Sequence, residues 1–153
     1  MKAKILVVVA LMAMSVNAKA DWQYVKWGMS LQKFEATAVQ NKVELTSFTG
    51  ESDRSKGFRY TGAYSTGAYN FKAMFLVDAA ETMRTVQLQL QGDPDNCYKL
   101  RIDMMNLYGK AIEQSNSHMV WHDVKNNNRV MWSNMLSCSI QYEVLKSASQ
   151  AGL

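Results

Sequence analysis

YNFKAMFLVDAAETMRTVQLQLQ, the run from Tyr69 to Gln91, changes sides at almost every step. Tyr69, Phe71, Ala73, Phe75 and Val77 share one side of a strand. After a turn carrying Asp78 and Glu81, Val86, Leu88 and Leu90 alternate with Thr85, Gln87, Gln89 and Gln91. Successive side chains of a strand point to opposite faces, so this period of two predicts a pair of β-strands joined by a short turn. The ladder of Thr85, Gln87, Gln89 and Gln91 places one face toward water, an arrangement that antiparallel sheets allow and buried parallel sheets do not.

Working outward, Phe58, Tyr60 and Tyr64 share a side upstream, and Ser65-Thr66-Gly67 turns the chain. Downstream, Met119 to Asp123 and Arg129 to Ser133 flank the turn-forming Lys125-Asn126-Asn127-Asn128, and Cys138, Ile140, Tyr142 and Val144 point one way along a final strand. Two helices complete the pattern. Ser30 is a good N-cap before Leu31, Phe34 and Ala38, whose spacing predicts a helix from Leu31 to about Asn41. Asp93-Pro94-Asp95 combines a capping carboxylate, a proline at a position that needs no N–H, and a second negative charge for the helix dipole. The helix that follows carries Cys97, Leu100, Met104, Leu107 and Tyr108 on one stripe, widened by Tyr98, Ile102 and Met105, with Gly109 as its C-cap. The polar stretch from Thr46 to Lys56 has no period and reads as a loop. The fold class is α+β: a mainly antiparallel sheet of about six strands with two helices packed on one face. It divides into two helix-plus-three-strand units, roughly Gly28 to Gln91 and Asp93 to Lys146, without a residue-level repeat.

Residues 1–20 read as a cleaved signal peptide. Lys2 and Lys4 precede an apolar run from Ile5 to Val16, and Ala18-Lys19-Ala20 presents small side chains before Asp21. That run is far shorter than the roughly 20 residues a membrane-spanning helix requires. Residues 21–153 then form a single α+β domain, periplasmic or secreted, with no stable membrane anchor. Lys2, Lys4 and Lys19 are three of the 17 basic residues while all 13 acidic residues lie downstream, so the mature balance is +1. With no Lys/Arg cluster to neutralise phosphates, nucleic acid is not an expected partner. The two cysteines, Cys97 and Cys138, are expected to pair in an oxidising compartment, closing a loop of about 40 residues; a catalytic thiol is the alternative reading.

Trp27-Gly28-Met29-Ser30, followed by Gln32 and Phe34, resembles the Gly-Met-Ser/Thr turn that opens the first helix of small periplasmic modules. These include the small lipoprotein subunit of the outer-membrane barrel-assembly machine and, in architecture, the beta-lactamase inhibitor proteins with tandem helix-plus-sheet units. Leu107-Tyr108-Gly109-Lys110 looks like a segment of exported proteins with the same layout. The resemblance implies a protein-binding or scaffold role without catalysis. The chain departs from the barrel-assembly subunit in lacking its lipid-bearing cysteine and in having a second helix-plus-sheet half.

Candidate binding residues are the aromatics Trp22, Tyr24, Trp27, Tyr60, Tyr64, Tyr69, Trp121 and Trp132, more than two helices on one face of a sheet are expected to bury. Trp and Tyr dominate interface hot spots, so an exposed subset would anchor a partner protein or stack on a glycan ring. Arg84, with Arg59, Lys72 and Arg129, would add polar grip; Met74, Met131 and Met135 fill core gaps or line an adaptable surface. His118 and His122 lie four apart, a zinc spacing on a helix, but in a strand that separation is roughly 13 Å, too far for one ion. No metal or cofactor is expected. The carboxylates Glu35, Glu44, Asp78, Glu81, Asp93, Asp95 and Asp123 have capping, turn or helix-surface roles, and no nucleophile elbow or phosphate-cradling loop appears. The expected function is a soluble periplasmic protein-binding or adaptor module without catalytic activity, its partner another periplasmic or envelope protein met on the uncovered sheet surface. A glycan or peptidoglycan binder is the alternative, and a small periplasmic hydrolase the third reading.

Overall fold

The computed structural model describes residues 21–146; the signal peptide read at residues 1–20 lies outside the described residues. The fold is α+β and is built on one antiparallel sheet of eight strands, not about six. Six are long: β4 (Phe58–Thr66), β5 (Tyr69–Val77), β6 (Met83–Gln91), β8 (His118–Asp123), β9 (Asn128–Ser133) and β10 (Ser139–Val144). The additional two, β3 (Thr46–Ser47) and β7 (Glu113–Gln114), are two-residue edge strands, too short to show a period in sequence. The sheet order is β3-β4-β5-β6-β10-β9-β8-β7. Each half is thus a meander of three long strands with a two-residue edge strand beyond it, and the halves join where β6 pairs with β10, Leu88 opposite Ile140.

The stretch from Thr46 to Lys56 is not a plain loop. It holds β3, paired with Tyr60 and Thr61, and the single helical turn α2 (Glu51–Ser55). Gly57 closes this segment at φ +98°, and a Cβ there would lie 2.5 Å from the Val77 carbonyl oxygen. Only glycine fits that approach.

α1 (Leu31–Gln40) begins as read, with the Ser30 hydroxyl accepting the Lys33 N–H, and buries Phe34 and Ala38. α3 (Asn96–Tyr108) starts later than the Asp93 cap predicts, because the Asp93 side chain accepts the Asp95 N–H and locks the preceding turn. α1 reaches the sheet through Phe34 against Phe75, ring centroids 4.8 Å apart, and α3 through the Tyr69 hydroxyl donating to Asp103. Phe75 and Tyr69 occupy the same side of β5, so both helices lie on one face of the sheet. The stripe on α3 is narrower than expected. Leu100 and Met104 are buried, whereas Tyr98, Ile102 and Leu107 are exposed.

A short hairpin of β1 (Asp21–Trp22) and β2 (Val25–Lys26) precedes α1 on the helical side. Its Trp22 and Val25 enter the core, and Trp27, just beyond it, donates its indole N–H to the buried Asn128 side chain at 2.8 Å. Cys97 and Cys138 are bonded, with Cα atoms 5.8 Å apart, tying the first turn of α3 to the residue preceding β10.

Candidate functional site

Between the two helical halves the sheet is left partly bare. Tyr69 and Phe71 of β5, Leu88 of β6, and Ile140 and Tyr142 of β10 line this cleft, with Trp22 and Tyr64 contributed from the α1 half and Leu100, Asp103, Met104 and Leu107 from α3. It measures about 310 Å³. Its position follows from the sheet order: α1 belongs to the β4–β6 meander and α3 to the β8–β10 meander, and the seam runs where β6 meets β10. Leu107 marks the opening. At about 100° per residue it falls on the same side of α3 as Leu100 and Met104, yet it is 70 % exposed because it overhangs the cleft.

The cleft's polar groups are mostly phenols. Tyr69 donates to the Asp103 carboxylate, and burial together with that bond pushes its pKa up to about 12. Burial holds Tyr142 well above the ordinary tyrosine value, reinforced by the Tyr108 phenol to which it is hydrogen-bonded. Tyr24, beside Trp22, is pushed up to about 12 by burial. These folded-state values exceed the unfolded value of about 10, so the native state holds these protons more tightly. Their contribution to stability is complete below about pH 10 and is lost as pH rises toward 12. Denaturant midpoints are therefore expected to fall steadily over that window. Tyr69→Phe flattens the fall, and a wild-type midpoint independent of pH there contradicts the burial of these phenols.

The candidate aromatics do not form an exposed platform. All four indoles are core: Trp22 and Trp27 are 6 % and 8 % exposed, and Trp121 and Trp132 are each 1 % exposed. The small N-terminal hairpin, invisible as a period in sequence, supplies the extra buried layer on the α1 side. On the other side α3 covers the remaining indoles. Trp121 donates to the Gly109 carbonyl at 2.9 Å and packs on Tyr108, while the Arg101 guanidinium sits 5.4 Å above the Trp132 ring. Tyr24 and Tyr60 are half-buried around Phe34, and Tyr60 donates to Glu35 at 2.6 Å. Of the candidates, the structure brings together Trp22, Tyr64 and Tyr69 in the cleft, the first two with ring centroids 5.0 Å apart. Arg84 lies elsewhere, beside His122 and Arg129.

The face without helices carries, in register across five strands, Met74, Gln87, Gln141, Met131 and Val120. Gln87 and Gln89 are half-exposed as the polar ladder predicts, but Thr85 is buried, flanked in register by Leu76 and Glu143. His118 is half-buried and its Nδ1 lies 2.7 Å from the Ser115 hydroxyl. That hydroxyl already accepts the Ser117 and His118 N–H groups, so the contact clamps a turn and does not present a nucleophile. His122 is exposed, and among the described residues no three His, Cys, Asp or Glu side chains converge as a metal site.

Sequence reading missed the parts of the cleft that lie outside the indoles, namely Asp103, Leu107 and Tyr142 as site residues. A usable signal was present. Tyr64, Tyr69 and Tyr142 occupy core-facing strand positions where an aliphatic side chain needs no partner, and a phenol at such a position marks the edge of a cavity. Comparison with protein-family models, with curated proteins and with solved structures finds no match.

Proposed function

We propose that this chain is an exported, non-catalytic protein-binding module that seats one apolar or aromatic side chain of a partner in the cleft between α3 and the Trp22–Tyr64 side of the sheet. The observation that carries the reading is Leu107, an exposed leucine overhanging an aromatic-lined hollow. A volume of about 310 Å³ stands at the lower end of the roughly 300–1,000 Å³ typical of ligand sites, enough for a single ring-bearing group. A bonded cysteine pair suits an oxidising compartment, in agreement with the leader read at residues 1–20. Among the described residues no helix is long and apolar enough to cross a membrane. A glycan is less well served, because sugar rings stack on open aromatic faces and the indoles here are buried.

Titration calorimetry with N-acetylphenylalaninamide, N-acetylserinamide and chitotetraose tests this. Binding is expected for the phenylalanine derivative alone, weakened about tenfold in Leu107→Asp, a substitution at an exposed position that leaves the fold intact. Preference for the sugar, or equal binding by the variant, contradicts it.

A further inference from the structure

The helix-free face ends in a second hollow, unconnected with the cleft. Thr85 of β6, Glu143 of β10, Arg129 of β9 and His122 of β8 are consecutive partners in register, so four strands present them in one row on that face. Arg84 and Lys146 close the row into a pocket of about 290 Å³.

Its charges do not cancel internally. Arg129 is paired with Glu143 at 2.9 Å, and Gln141 also donates to that carboxylate. Arg84 and Lys146, both exposed, make no ion pair among the described residues. Asp78, the acid whose carboxyl feels Arg84, is already held by the Thr82 and Ala80 backbone and by the Thr82 hydroxyl. A second observation comes from Thr85. It is 4 % exposed, lines the pocket, and its hydroxyl makes no hydrogen bond among the described residues. That hydroxyl keeps contact with solvent in the pocket, so it is free to donate to an incoming oxygen beside the two cations.

We infer that this pocket is a binding site for a phosphoryl dianion. Two unpaired cations match two negative charges, the hydroxyl of Thr85 supplies a neutral donor, and the guanidinium of Arg129 retains N–H groups beyond the one given to Glu143. A monocarboxylate would satisfy half of that charge. The site is independent of the cleft and stands or falls separately from it.

The test is a heteronuclear NMR titration of the isotope-labelled, oxidised protein with inorganic phosphate, ionic strength being held constant with sodium chloride. Saturable movement of the Thr85, His122 and Arg129 amides is expected. The double variant Arg84→Gln/Lys146→Gln weakens binding about tenfold or more, since both full positive charges facing the anion are lost. Thr85→Val, nearly the same shape and unchanged in charge, weakens it as well. Sodium acetate binds more weakly than phosphate. Sedimentation with phosphatidylcholine vesicles, with and without phosphatidic acid, separates the sources: pelleting only with phosphatidic acid assigns the phosphoryl group to a lipid headgroup, and no pelleting assigns it to a soluble phosphate. Amides that do not move, a double variant that binds as the wild type does, or acetate binding as tightly as phosphate would overturn the assignment.

Discussion

Serine at both Cys97 and Cys138 lowers the free energy of unfolding by about 4 kcal/mol, the chain-entropy value for a bridge spanning 41 positions. The magnitude matters against a typical net stability of about 5–15 kcal/mol. The bridge fastens the first turn of α3 to the chain just before β10, where the Cys138 carbonyl also accepts the Leu90 N–H. α3 has few other buried anchors: Leu100 and Met104 are its buried residues, and Ile102 and Leu107 are exposed. Urea denaturation of the oxidised wild type, the reduced wild type and the double serine variant measures the loss. The last two should coincide. An oxidised protein no more stable than the variant would show that the bridge does not hold the helix to the sheet.

Phe34→Ala has the next largest expected effect, about 3–5 kcal/mol, from lost transfer energy and the cavity left behind. Phe34 is fully buried in α1, its ring centroid 4.8 Å from Phe75, 6.1 Å from Tyr60 and 6.2 Å from Tyr24. Those neighbours come from β5, β4 and the N-terminal hairpin, so no one element can collapse into the space. Val39→Ala, five positions along the same helix but 77 % exposed, serves as the control and should change stability by no more than about 0.5 kcal/mol. Equal effects of the two substitutions would mean that α1 does not pack on the sheet through Phe34.

The sheet was legible where alternation ran long enough. Tyr69 to Val77 and Val86 to Leu90 declare their two sides over several residues, and Ser30 declares the start of α1 through a single side-chain oxygen. β3, β7 and the β1–β2 hairpin were not legible, because two residues cannot establish a period. That blindness misplaced the tryptophans. Trp22 and Trp27 are surplus to a two-helix layer until the hairpin folds over, and the acceptor for Trp27 is Asn128, 101 positions away. The candidate site was legible in composition but not in place: aromatic groups do line it, yet the α3 residues that close it, Asp103 and Leu107, are placed by how α3 lies on the sheet, with Tyr69 donating to Asp103. Charge showed a similar limit. A balance of +1 over residues 21–153 conceals the pocket where Arg84 and Lys146 meet, because Lys146 reaches β6 only through the pairing of β6 with β10.

A partner's ring is proposed to enter the seam between the two helix-and-sheet halves. Intermolecular nuclear Overhauser effects between N-acetylphenylalaninamide ring protons and methyl-labelled protein test it most directly. Contacts are predicted to the methyl groups of Leu88, Leu100, Met104 and Ile140, all of which line the cleft. Contacts confined to Met74 and Met131 on the opposite face, or none under conditions where binding is saturated, would contradict it.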